Sequence, residues 1–182
     1  MGNYDVHIIG KGSGWQAAPA DGTTWGITQL IVRRPVSMVI DMNDYRLWGE
    51  AEAKEAALAR RLAVQNNVPY VCLAPMAGCP VAAPYPLDEI INFFRTDYFN
   101  STIDYALALA IHRGFSEIHL YGINCLHYAD YARQKPSAEF WIGQAMGRGI
   151  RVTVHGPKSE LLRTPDRKIY GYGIPQSAEK RI

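Results

Sequence analysis

The densest chemical signal in the chain is residues 5–15, Asp-Val-His-Ile-Ile-Gly-Lys-Gly-Ser-Gly-Trp. A short apolar run, residues 6–9, ends in glycines at 10, 12 and 14. Glycine lets a ligand approach the main chain closely, and the amides of such a turn can converge on an anion. Gly10, Gly12, Ser13 and Gly14 are therefore candidates for binding phosphate, with a tight ligand-free turn as the structural alternative. The loop is not a Walker A loop, which needs Gly-Lys before Ser or Thr at a longer glycine spacing. It is also an imperfect dinucleotide fingerprint. Trp15 takes the third-glycine position, and Thr28 and Gln29 stand where the ribose-binding acid belongs, so NAD is not expected.

Further candidates lie downstream. Asp41 follows a short apolar run and suits a ribose hydroxyl, a base or Mg²⁺, or it merely opens the turn of residues 41–44. Asn100, Ser101 and Thr102 precede a helical pattern and offer hydroxyls and amides to a phosphate or ribose, or simply cap that helix. Asn124 can orient a ligand but cannot act as a general base. His127 has the side chain for proton transfer near neutral pH, so Asp41 and His127 are the catalytic candidates. Cys72, Cys79 and Cys125 lack any C-x-x-C spacing and read as buried thiols. The histidines at 7, 112, 119, 127 and 155 look scattered, and no metal ligand set is expected from them.

The elements that must position these groups alternate. Strands are predicted at residues 6–9, 25–32, 37–40, 70–73, 118–121 and 150–154, and helices at 50–64, 87–94, 101–112 and 137–146. Glu50 and Lys54 are spaced for an i,i+4 pair, with Leu58 and Leu62 marking the buried side of that helix. Residues 101–112 are apolar nearly all round, which predicts a central helix. Residues 74–86 hold four prolines and a glycine, and irregular structure is predicted there, as a surface loop or a wall over a site. The pattern gives an α/β fold with a mostly parallel sheet of about six strands and helices on both faces. Ligands of such sheets lie beyond the carboxyl ends of the strands. That rule selects residues 10–15, Thr28 and Gln29, Asp41, the loop from Ala74, and residues 122–127. One domain is expected over 1–163, with a tail over 164–182 that packs on the body or on a second subunit of a homo-oligomer.

Composition narrows the function classes. The 182 residues are 48% hydrophobic and 20% charged, with a formal net charge of +2. Arg33–Arg34 and Arg60–Arg61 are isolated pairs, not a basic stripe, so nucleic acid is not favoured as a partner. No apolar run approaches the ~20 residues needed to span a bilayer, and no secretion leader is visible, so a cytoplasmic location is expected.

The ordered motifs carry a resemblance. D-V-H-I-I-G-K-G-S-G-W, W-G-I-T, V-I-D-M-N-D and N-S-T-I-D-Y-A-L-A-L-A-I-H-R-G-F-S-E-I-H-L-Y-G-I-N resemble a phage-borne group of Rossmann-like proteins. That group is similar to the MptE-like family of 6-hydroxymethylpterin diphosphokinases. Residues 101–124 also resemble small bacterial sialyltransferases that use a CMP-sugar. The resemblance implies a Rossmann-like fold and a nucleotide or nucleotide-sugar ligand, with phosphates facing Gly10, Gly12 and Ser13. Thr28 then contributes to the pocket, and Ser101 and Thr102 lie near ribose or base. The relatives carry a carboxylate where this chain has Asn124. Two functions follow as expectations. One is a transferase of pyrophosphoryl, nucleotidyl or glycosyl groups. The other is a non-catalytic phage protein, in the host cytoplasm, that sequesters a nucleotide-derived signal of host defence. In a third, structural or adaptor role the glycine loop is only a turn.

Overall fold

A computed structural model describes residues 4–45, 49–74, 76–126 and 128–177. The strands are β1 (Asp5–Ile9), β2 (Thr24–Ile27), β3 (Met38–Asp41), β4 (Tyr70–Cys72), β5 (Ala82–Pro84), β6 (Glu117–Tyr121) and β7 (Arg151–Val154). The helices are α1 (Glu50–Gln65), α2 (Leu87–Phe94), α3 (Thr102–His112) and α4 (Lys135–Met146). All strands pair in parallel in the order β5-β4-β3-β2-β1-β6-β7. The chain builds outward from β1 to β5, then returns past β1 to add β6 and β7. The reversal falls between β1 and β6, the position where open α/β sheets form a crevice.

Helices cover both faces, as the sequence predicts. On one face α3 lies against the sheet, and Leu107, Leu109 and Ile111 pack with Ile8, Ile118, Trp141 and Val152. Nearly every α3 residue is buried, matching its unbroken apolar pattern. On the other face α1 packs over Val39, Tyr70 and Cys72. Its buried residues are Ala56, Ala59 and Ala63, whereas Leu58 and Leu62 stand half-buried at the margin. Small side chains let α1 sit close to the sheet, and the Glu50–Lys54 pair forms at 2.8 Å on its exposed side.

Two predictions change. Residues 25–32 do not form one strand: β2 stops at Ile27, and Thr28–Val32 turn into a 3₁₀ helix. Thr28 takes φ +56°, a left-handed conformation that costs a β-branched residue and breaks the strand there. The proline-rich loop supplies a seventh strand, β5, at the sheet edge, where a proline's missing N–H is tolerated. The described part of the tail folds into a small antiparallel turn. Lys168 bridges Pro175, and Arg167 pairs with Glu160 of the body. No helix among the described residues is long and apolar enough to cross a membrane.

Candidate functional site

The carboxyl ends of β1, β2 and β3 and the first residue of β4 are joined by one chain of side-chain hydrogen bonds. Lys11, in the loop after β1, donates from Nζ to Gln29 Oε1 at 2.5 Å. Gln29, buried just past β2, donates from Nε2 to the Tyr45 hydroxyl at 2.6 Å. Tyr45 in turn lies 3.0 and 2.9 Å from the two Asp41 oxygens at the end of β3. Tyr70, wholly buried at the start of β4, donates to Asp41 Oδ2 at 2.5 Å, and Asn43 Nδ2 donates to Oδ1 at 2.8 Å. Asp41 is 3% exposed, so this carboxylate is held away from bulk water by three donors. Burial, with the Asp41 charge behind it, pushes both phenols above their ordinary pKa, so Tyr45 and Tyr70 stay protonated and act as donors.

Asp41 also borders a cavity of about 420 Å³ with Asn43, Asp44, Tyr45, Arg60, Cys72 and the start of the proline-rich loop. That volume falls within the usual ~300–1,000 Å³ of small-molecule sites. A second hollow of about 270 Å³ lies between α1 and residues 77–79, and Arg60 lines both. The Arg60 charge reaches Tyr45, Tyr70 and Cys72 electrostatically. The cavity thus combines the Arg60 guanidinium with two carboxylates, Asp41 and Asp44, and the Tyr45 phenol. It can meet an anion on one side and hydroxyl groups on the other. Burial raises the Cys72 thiol above its ordinary pKa, which disfavours the thiolate there.

The glycine loop has a different environment. Gly10 N donates to Tyr121 O and Gly12 N to Gly122 O, each at 2.8 Å. The Asn124 amide, oriented with its oxygen on Ser13 N (2.8 Å) and its nitrogen on Ser13 O (3.3 Å), closes a third link. The amides of Gly10, Gly12 and Ser13, expected to converge on an anion, are occupied by the loop after β6. The glycines make this contact sterically open. A Cβ on Gly12 would lie 2.5 Å from Gly122 O, and one on Gly10 would lie 2.6 Å from it. The loop's direct tie to the cavity network is Lys11.

The other candidates separate. Ser101 caps α3 in a capping box with Asp104, whose Oδ2 accepts from the amides of Asn100 (2.7 Å) and Ser101 (2.9 Å). Thr102 is buried in the first turn of α3. Neither Ser101, Thr102 nor Asn124 borders the two hollows. Thr28 sits beside Gln29 at the network's edge. His127 lies outside the described residues. Cys125 is buried, and desolvation pushes its thiol up to about 12. Sequence reasoning singled out Asp41 but missed Lys11, Tyr45, Arg60 and Tyr70. Tyr45 lies only four residues beyond Asp41, whereas Tyr70 reaches it through the pairing of β4 with β3 and Arg60 from helix α1.

No protein-family model matches the chain, and no curated protein matches it in sequence. Solved structures do share its fold. One is the sialyltransferase CstII from Campylobacter jejuni in complex with the substrate analogue cytidine-5'-monophosphate. It matches with TM-score 0.54 and 15% identity, over 86% of this chain and 81% of that one. The same enzyme with CMP-3FNeuAc matches with TM-score 0.54 and 14% identity, over 94% and 84%. A probable thiamine pyrophosphokinase from Staphylococcus saprophyticus subsp. saprophyticus is more distant, with TM-score 0.42 and 10% identity over 83% and 64%. The chain therefore has a Rossmann-like α/β fold, shared with the sialyltransferase CstII.

Proposed function

We propose that the protein binds a nucleotide or nucleotide-sugar at the carboxyl edge of its sheet and transfers a pyrophosphoryl, nucleotidyl or glycosyl group from it. The observation that carries this reading is the hydrogen-bonded chain from Lys11 through Gln29, Tyr45 and Asp41 to Tyr70, of which Asp41 and Tyr45 border the cavity of about 420 Å³. Its placement agrees with the rule that ligands sit beyond strand carboxyl ends. The shared fold with a sialyltransferase solved with CMP compounds favours the same ligand class.

In this reading Arg60 meets phosphate oxygens through charge-assisted hydrogen bonds, and Lys11, paired with Glu55 at 3.6 Å, holds Gln29 behind the cavity. Asp41 fixes a ribose hydroxyl, or takes Mg²⁺ when its amide partner Asn43 gives way. The bracing phenols keep the carboxylate aimed. Thr28 contributes through its neighbour Gln29, whereas Ser101 and Thr102 cap α3 away from both hollows and take no ligand contact in this reading. Gly10, Gly12, Ser13, Gly14 and Asn124 form the rigid floor, and His127 is assigned the proton transfer. A phage origin and a homo-oligomer follow from the resemblance and the tail alone, and belong to this proposal.

A second reading, capture of an intact nucleotide-derived signal, is favoured by Asn124, an amide where the resembling families carry an acid. One experiment separates the two. The protein is incubated with a panel of nucleotides and nucleotide-sugars, melting temperatures are compared, and each ligand is recovered and weighed by mass spectrometry. A stabilising ligand recovered changed supports transfer, and one recovered intact supports capture. A panel that shifts nothing contradicts both and leaves the adaptor role.

A further inference from the structure

The pleat of the sheet puts odd-numbered residues of β1 and β6 on one face and even-numbered ones on the other. The even positions Val6, Ile8, Ile118 and Leu120 are buried in the cluster that includes α3 and α4. On the opposite face α1 covers the β3–β4 side. The connection from β1 to β2 contains only a three-residue 3₁₀ turn, Trp15–Ala17, and α4 packs on the other face. The last odd positions of these strands, Ile9 and Tyr121, are buried in that α1-side cluster, whereas the earlier ones, Asp5, His7, Glu117 and His119, lie outside both apolar clusters.

Three imidazoles meet on that face. His7 and His119 are cross-strand partners in register, with ring centroids 4.9 Å apart. His155, just past β7, is tied to β6 by its amide on Leu120 O. Its Nε2 lies 3.2 Å from His119 Nδ1, and its ring stacks on Tyr121 at 4.1 Å. Asp5 Oδ2 is 3.1 Å from His7 Nε2, and Glu117 Oε2 is 3.5 Å from His119 Nε2. One donor atom from each of Asp5, His7 and His119 lies within 4.8 Å of the other two.

We propose that this cluster binds one divalent transition-metal ion of the zinc, nickel or copper kind through His7, His119 and Asp5, with His155 as the fourth donor. Imidazole nitrogens with one carboxylate are the donor set of such ions and not of Mg²⁺ or Ca²⁺. Tetrahedral donors at about 2.1 Å from zinc stand about 3.4 Å apart, a closure that side-chain rotation supplies from the present spacing. His7 Nδ1 is buried without a hydrogen-bond partner, a polar atom that an ion would satisfy. Glu117, which also pairs with Arg151, is placed to orient the His119 ring as an outer-shell carboxylate. Asp5 keeps an approach from solvent, its side chain being 42% exposed. Cross-strand pairing makes the site, which is why the histidines look scattered along the sequence.

The test uses the full chain stripped of metal by a chelator that is then removed. Co²⁺ is titrated while visible absorption is followed, and Zn²⁺ affinity is read by competition with a chromophoric chelator. One ion per chain is expected. His7→Ala and His119→Ala should each weaken Zn²⁺ binding by at least the ~10–100-fold typical of outer-shell losses, while His112→Ala leaves it unchanged. Absence of binding by the wild type, or an affinity that neither histidine variant alters, overturns the proposal. Should those variants not fold, Ni²⁺ added to the wild type must broaden the ring NMR signals of His7 and His119 before those of His112. Broadening that spares them overturns it equally.

Discussion

Asp41 is a buried carboxylate whose two oxygens face Asn43, Tyr45 and Tyr70, and its geometry depends on all three. The Tyr70 bond links β3 to β4 through a charged acceptor in a place closed to water. Hydrogen bonds to charged groups contribute about 1.5–3 kcal/mol, so Tyr70→Phe should lower unfolding free energy in urea by that amount. An unchanged midpoint would show that Asp41 finds an equivalent partner elsewhere. Cys125 gives a second residue-scale expectation. With its thiol pushed up to about 12 and buried, it should resist a disulfide reagent at mild alkaline pH until the protein unfolds. Rapid native labelling of Cys125 would contradict that. Asp41 was legible in the sequence because a carboxylate ending a short apolar run is conspicuous. Its phenolic partners were not, since Tyr70 reaches it only because β4 pairs with β3.

At the scale of elements, the loops after β1 and β6 work as one interlocked piece. A Cβ at Gly12 would meet the Gly122 carbonyl at 2.5 Å and the Asn124 side chain at 2.8 Å. Both loops are tied to each other by backbone hydrogen bonds, so neither can step aside. Gly12→Ala should therefore destabilise strongly or prevent folding. Gly143→Ala is the contrast. It lies in the exposed face of α4 with no atom within 4 Å of the added carbon, and should stabilise by about 0.5–1 kcal/mol in thermal or urea unfolding. The cap of α3 carries a pH dependence. Burial raises the Asp104 pKa above 3.8 despite the amides of Asn100 and Ser101, with Ser137 also facing it. The folded state then holds this proton more tightly than the unfolded chain. Stability falls as pH rises from 3.8 through the folded-state value and levels off above it. Urea titrations of wild type and Asp104→Asn should diverge over that window and run parallel above it. Helices were legible at this scale because α3 is apolar all round and α1 repeats alanine. The break after Ile27 was not, because Thr28 is a strand former forced into a left-handed conformation by its surroundings.

At the scale of the whole molecule, alternating strands and helices were enough to infer a parallel sheet, but not its order. The return past β1 to β6 brings His7 beside His119 and Gly12 beside Gly122, pairs separated by more than a hundred residues. The same order sets β1, β2, β3 and β4 side by side, so that Lys11 and Tyr70 terminate one hydrogen-bonded chain. Of the places chosen beforehand by the strand-end rule, Asp41 and the loop from Ala74 border the cavity. The glycine loop instead braces its neighbour. The direct measurement is calorimetric titration of wild type and Arg60→Ala with whichever nucleotide or nucleotide-sugar most raises the melting temperature. Binding of one ligand per chain, weakened about tenfold or more by loss of the guanidinium, is the expected result. A panel without any binder, or an Arg60→Ala protein that binds as tightly as wild type, would place the ligand elsewhere or remove it altogether.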